Sequence, residues 1–221
     1  MPKLVDRDQQ RLEVAWAACR AIASKGIERV TIRDVAAEAG RSTGMVTHYF
    51  ADKESLLVAA LTTATEECHE RLLRRAMADP LNLRAVLRES LPLNAQVRLE
   101  WAIWVNYWAT AATSGRLGAE QRRHYRAWHH IIESMLTTLR NSGRLREGIQ
   151  PAAAADLLMT VVDGLGLRAT VDPEGWPERR ILACLDRELS LIENDNSVGV
   201  AIDVDHTHAS AVEDADSRSP C

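Results

Sequence analysis

Apolar residues recur at spacings of three and four along most of the chain, and short polar turns cut that pattern into segments. Over residues 9–25, Leu12, Ala15, Trp16, Cys19, Ile22 and Ala23 share one helical face, and Gly26 suits the left-handed residue that ends a helix. Thr31 and Asp34 have capping-box spacing, so a second helix starts at Ile32 and ends at Gly40. Ser42 caps a short third helix to about Tyr49. Asp52 caps a fourth over 53–77, with Glu54 in its first turn. Further helices are expected over 82–90, 95–113, 118–141, 152–169 and 177–193. Pro80, Pro92, Ser114-Gly115 near Gly118, Gly148 with Pro151, and the turn Asp172-Pro173-Glu174-Gly175 separate them. No segment alternates long enough to read as a strand, and there is no internal repeat. The pattern predicts an all-α protein of about nine helices.

Composition narrows the class. The 221 residues fit one large or two small domains, and an apolar content of 46% supplies a core. No apolar run approaches the ~18 residues of a membrane span, and the N-terminus has no apolar leader. The expectation is a soluble cytoplasmic protein with no membrane partner. Cys19, Cys68, Cys184 and Cys221 are scattered without a CxxC, which reads as free thiols in a reducing compartment. The net charge of -4 is unevenly placed. Residues 194–221 hold six acids, one base and no aromatic residue, so an acidic disordered tail is expected there. Residues 1–50 hold eight bases and six acids, an excess that permits nucleic-acid binding without demanding it.

The third helix raises the functional question. It is short and polar, and it follows a tight turn at Gly40. Val35, Ala36 and Ala39 would pack the preceding helix inward, and Val46, Tyr49 and Phe50 would anchor the third. Its other face, Thr43, Gly44, Thr47 and His48, is small and polar. A helix that enters a DNA major groove needs this division. Gly44 removes a Cβ where a sugar-phosphate backbone would crowd it, and the helix N-terminus offers N–H donors to phosphate. An ordinary helical hairpin in an all-α core is the alternative. The His206-Thr207-His208 stretch with Asp203 and Asp205 lacks a fixed frame, so no metal site is expected. No GxSxG, HExxH, P-loop or GxGxxG stands in a supporting context, so neither an enzyme nor a cofactor is expected.

The segment TIRDVAAEAGRSTGMVTHYFADKESLL strongly resembles the DNA-binding half of TetR-family repressors. The matching features are Thr31-Ile32, Ala36-x-x-Ala39-Gly40, Ser42, Gly44, His48-Tyr49-Phe50, Lys53-Glu54 and Leu56-Leu57. The form STGMVTHYF looks like the BetI-type branch. LEWAIWVNYW, RRHYRAWHHII and DLLMTVVDGLGLR extend that likeness through a C-terminal ligand and dimer domain. The resemblance implies a helix-turn-helix domain over 1–50 and a ligand-binding and dimerisation domain over 51–193. It implies a homodimer on a roughly palindromic operator, with recognition helices about 34–36 Å apart. The dimer interface would form through the helices at 152–169 and 177–193. Thr31, Ser42, His48 and Lys53 would meet phosphate, and Arg41, Thr43 and Thr47 would lie near base edges. Arg41 stands where the family more often has an apolar residue, and phosphate is its favoured partner.

Trp101, Trp104 and Trp108 fall at i, i+3 and i+7, with Tyr125 and Trp128 three apart on the next long helix. Large aromatics at this spacing ordinarily fill a core. In this family they can also wall an effector pocket between helices. Aromatic faces attract quaternary ammonium groups, and Asp163 or Glu100 could answer the charge. The expected function is a ligand-responsive transcriptional regulator, a repressor that a small-molecule effector releases from its operator. An activator of the same family, or an all-α binding protein or enzyme that ignores DNA, are the alternatives. Salt-sensitive, sequence-selective DNA binding separates them.

Overall fold

A computed structural model of the chain describes residues 3–194. Among these residues there are nine helices in the order α1 Lys3–Lys25, α2 Ile32–Glu38, α3 Thr43–Tyr49, α4 Lys53–Ala78, α5 Leu83–Glu89, α6 Ala95–Ala111, α7 Gly115–Asn141, α8 Pro151–Val171 and α9 Glu178–Ile192. The only extended pairing among them is a single antiparallel bridge between Leu145 and Glu193. The all-α expectation holds. No described helix is long and apolar enough to cross a membrane.

The capping signals act as the sequence predicts. The Thr31 hydroxyl accepts from Asp34 N at 3.2 Å, and Asp34 Oδ2 accepts from Thr31 N at 2.9 Å. Ser42 Oγ accepts from Met45 N at 3.2 Å, and Asp52 Oδ1 accepts from Ser55 N at 2.7 Å. Each bond satisfies an N–H that the first helical turn leaves without a partner. Gly26 and Gly40 have φ of 81° and 62°, which a side chain adopts only with strain.

Two helix starts differ from the sequence reading. α1 begins at Lys3 rather than near residue 9, because no glycine or proline interrupts residues 3–25. α7 begins at Gly115 rather than 118, with Ser114 Oγ capping Leu117 N at 3.3 Å. Gly118 is therefore not a break. It lies inside α7, where an added Cβ would sit 2.7 Å from Ala111 O, so it permits close packing on the end of α6. Asn194, placed in the tail by composition, joins the folded body: its N donates to Arg144 O at 2.8 Å, and its amide donates to Gly143 O at 2.8 Å. The rest of the expected acidic tail, with Cys221 and the His206–His208 stretch, lies outside the described residues. Cys19 and Cys68 are free and buried, and Cys184 is free and partly buried.

Two cores form. One joins α1, α2 and α3 to the first half of α4, and it also takes Ile103 and Tyr107 of α6 and Leu117 of α7. The second joins the later part of α4 to α5–α9 around Trp101, Leu136 and Leu158. α4, α6 and α7 belong to both, and α4 and α6 face each other. Between them lies a buried ion pair: Arg71 donates to Glu100 Oε1 and Oε2 at 2.8 and 2.6 Å, and Gln96 adds a bond at 3.1 Å. Burial raises the Glu100 carboxyl above its usual range, and the guanidinium opposes that rise. Glu100 is thereby committed to α4. It takes no part in lining the aromatic cavity described below.

Candidate DNA-reading helix and effector cavity

α3 divides its faces sharply. Val46 and Phe50 are buried in the first core, and the Tyr49 hydroxyl donates to Gln10 Oε1 at 2.7 Å. Thr43, Gly44, Thr47 and His48 are exposed. An added Cβ at Gly44 would meet only Ser42 Oγ, at 3.9 Å, so nothing inside the chain requires glycine there. The turn that sets α3 across α2 is closed by Gly40 N to Ala37 O at 3.1 Å and Arg41 N to Ala36 O at 2.9 Å.

The surrounding polar groups are partly occupied. The Thr31 hydroxyl also donates to Asp34 Oδ2 at 2.7 Å, so both its hydrogen-bonding roles serve the cap. Lys53 Nζ donates to Glu28 O at 3.0 Å, tying the start of α4 to the turn after α1. Arg41 lies 3.3 Å from Glu13, an exposed pair that solvent screens. The Thr47 hydroxyl donates back to Thr43 O at 3.1 Å, which leaves its oxygen lone pairs outward. Asp34 is held well below the usual carboxylate range, to about 2, first by its bond from Lys25 and then by the Thr31 bonds.

The second site is a cavity of about 50 Å³ between α4, α6, α7 and α8. Six of the aromatic and acidic residues singled out in the sequence line it, Trp101, Trp104, Trp108, Tyr125, Trp128 and Asp163, and Glu100 does not. Trp101 is also core, and its indole N–H donates to Ser90 O at 2.7 Å. Its ring meets Trp104 and Trp108 edge-on, with centroids 5.2 and 5.7 Å away. Thr65, Cys68, His69 and Leu72 of α4 complete the lining together with Ser90, Gln121 and His124. Burial pushes Asp163 up to about 7, against a hydrogen bond from Tyr125. Burial holds His124 down at about 4 and lowers His69 as well, so both imidazoles are neutral at neutral pH. His124 Nε2 lies 3.3 Å from Glu120 but out of line for a hydrogen bond.

Residues 16–60 match the bacterial regulatory proteins of the tetR family, and residues 82–192 match the C-terminal domain of BetI-type transcriptional repressors. The chain belongs to the TetR family. This TetR-family chain is 31% identical over 180 residues to the transcriptional regulator PksA of Bacillus subtilis, covering 78% of this chain and 84% of PksA. It is 30% identical over 178 residues to the regulator BetI of Burkholderia mallei, covering 79% of this chain and 88% of BetI. In fold it is similar to a transcriptional regulator from Saccharomonospora viridis solved in complex with choline, with a TM-score of 0.78 and 23% identity over 85% of this chain and 99% of that one.

The protein is thus a ligand-responsive transcriptional regulator with a helix-turn-helix domain and a BetI-type C-terminal domain. Sequence reasoning missed half of the cavity lining of this TetR-family chain. His69, Cys68 and Thr65 read as ordinary positions on a long amphipathic helix, and Gln121 and His124 as solvated polar residues. Only the convergence of four helices distinguishes them. A weak signal existed: Thr65, Cys68, His69 and Leu72 sit three to four residues apart on one face.

Proposed function

We propose that two copies of the chain bind a roughly palindromic operator, one α3 in each of two successive major grooves, and that a small molecule in the aromatic cavity releases them. In this reading residues 1–50 form the DNA-binding domain, and residues 51–193 bind the effector and dimerise through α8 and α9. The protein acts in the cytoplasm as a repressor and does no chemistry of its own. The observation that carries the reading is the outward face of α3. Thr43, Gly44, Thr47 and His48 are exposed and small or polar, while Val46 and Phe50 fix the helix from behind. Ser42 with the α3 N-terminus, His48 and Lys53 meet phosphate, and Thr43 and Thr47 reach base edges. Thr31 acts by holding α2, since its hydroxyl is spent on Asp34. Arg41 leaves Glu13 for phosphate.

Thr43→Ala and Thr47→Ala each weaken specific operator binding by about 1–3 kcal/mol if they read bases, with non-specific binding unchanged. Fluorescence anisotropy with an operator duplex and a scrambled duplex measures both, and specific affinity should fall steeply with salt. Full operator affinity in the double variant rejects the reading. An organic cation is the effector class that aromatic walls and Asp163 favour. Choline is the first ligand to titrate against Trp fluorescence and operator release. Silence in both signals removes the cation.

A further inference from the structure

This inference rests on the aromatic cavity being the effector site, and it concerns what the effector must carry. Five buried polar atoms on cavity-lining residues find no hydrogen-bond partner among the described residues: Trp108 Nε1, Trp128 Nε1, Gln121 Oε1, His69 Nε2 and His124 Nε2. Folded proteins seldom leave such groups unanswered. Other polar groups of the same wall are answered. The Trp101 indole donates to Ser90 O at 2.7 Å, and the Thr65 hydroxyl donates to Leu61 O at 2.8 Å. The unanswered set therefore contains two indole donors, one amide acceptor and two imidazole nitrogens.

That set discriminates among ligand chemistries. A hydrocarbon or a bare quaternary ammonium has no lone pair for an indole N–H. A carboxylate or phosphate has lone pairs, but no lysine or arginine lines the cavity to balance its charge, and Asp163 stands in the wall. A hydroxyl offers lone pairs to an indole N–H and a proton to an amide oxygen. We propose that the cavity selects a hydroxyl-bearing small molecule, its oxygen accepting from the indole N–H of Trp108 or Trp128 and its proton going to Gln121 Oε1. Trp108 and Trp128 are then specificity residues through their N–H groups, beyond the area of their rings.

The test uses the full chain and a panel of matched pairs that differ by one hydroxyl. The pairs have quaternary ammonium, aromatic and alkyl heads, such as choline with ethyltrimethylammonium and benzyl alcohol with toluene. Calorimetry should show the hydroxyl member binding about 3- to 10-fold tighter, the range expected for one net hydrogen bond. In protein with 15N-labelled tryptophan, the Trp108 or Trp128 indole proton should move downfield only with that member. Trp108→Phe and Trp128→Phe assign those signals and should erase the preference of the site. The wild-type spectra decide the question even if a variant fails to fold. Equal affinity within every pair, or no downfield movement, overturns the proposal and leaves the cavity as an effector site of another selectivity. If no member of any pair binds, the proposal and the effector-site reading fall together.

Discussion

Gly166 and Asp163 show how much one position can decide. A Cβ at Gly166 would lie 1.9 Å from Trp101 Cζ2, inside the indole. Gly166→Ala should displace Trp101 from its place beside Ser90 and cost about 1–3 kcal/mol in urea unfolding, as overpacked cores do. Cavity fluorescence should change with it. Unaltered stability would mean that α8 can back away. Asp163 answers to pH. Its folded pKa is about 7 against an ordinary value of 3.8, so between those values the folded state binds more protons and stability falls as pH rises. His124 opposes this: it titrates near 4 when folded and near 6.5 when unfolded, so its contribution is lost as pH drops through that range. Asp163→Asn should therefore raise the melting temperature most at about pH 8 and least near pH 4, because it removes the penalty of charging a buried carboxylate. In the parent protein, affinity for a cation should rise as pH passes about 7. Asp163 was visible in the sequence as a candidate, but its ionisation was not. Burial by α4, α6 and α7 sets it.

At the scale of elements, α6 is the piece that faces both ways. Trp101, Trp104 and Trp108 look into the cavity, while Ile103 and Tyr107 sit in the core of the helix-turn-helix end. Asn106 fastens the two together, its Oδ1 accepting from Ile27 N at 3.3 Å and its Nδ2 donating to Ala102 O at 2.7 Å. The cavity also borrows Thr65 to Leu72 from α4, whose start is held by Asp52 just after α3. In the proposed reading, effector binding would act on α4, α6 and α7, each of which also reaches the DNA-binding core. Asn106→Ala should leave effector affinity near its parent value and reduce the release of operator at saturating effector. Calorimetry paired with anisotropy separates the two, and undiminished release would assign the coupling to α4 and α7. The sequence marked the caps of α2, α3 and α4, because a cap is a local hydrogen bond between residues three apart. It placed the break at Ser114-Gly115 but started α7 at 118 instead of 115, because the reason for Gly118 lies across the chain, at Ala111.

At the scale of the whole molecule, α8 presents an outward stripe that no other described helix covers. Leu157 and Val171 are 49% and 72% exposed, with exposed Gly164 between them and exposed Ala153 one turn before Leu157 on the same side. Leu191 of α9 adds another exposed apolar group. Such a face fits the isologous contact of a two-fold dimer. Leu157→Glu should shift the protein to monomer in sedimentation velocity and weaken operator binding, because two half-sites are then engaged independently. A variant that stays dimeric would place the interface elsewhere.

The sequence by itself determined the helices, their caps, the inward and outward faces of α3 and the aromatic positions. All of these depend on neighbours within one or two turns, where spacing alone sets direction. The tertiary structure decided which side chains meet: the histidines and Gln121 beside the tryptophans, Glu100 bound to Arg71 instead of facing the cavity, and Gly166 against Trp101. Those contacts join residues far apart in the chain, and their energies come from burial and close packing, which no local pattern of residues encodes.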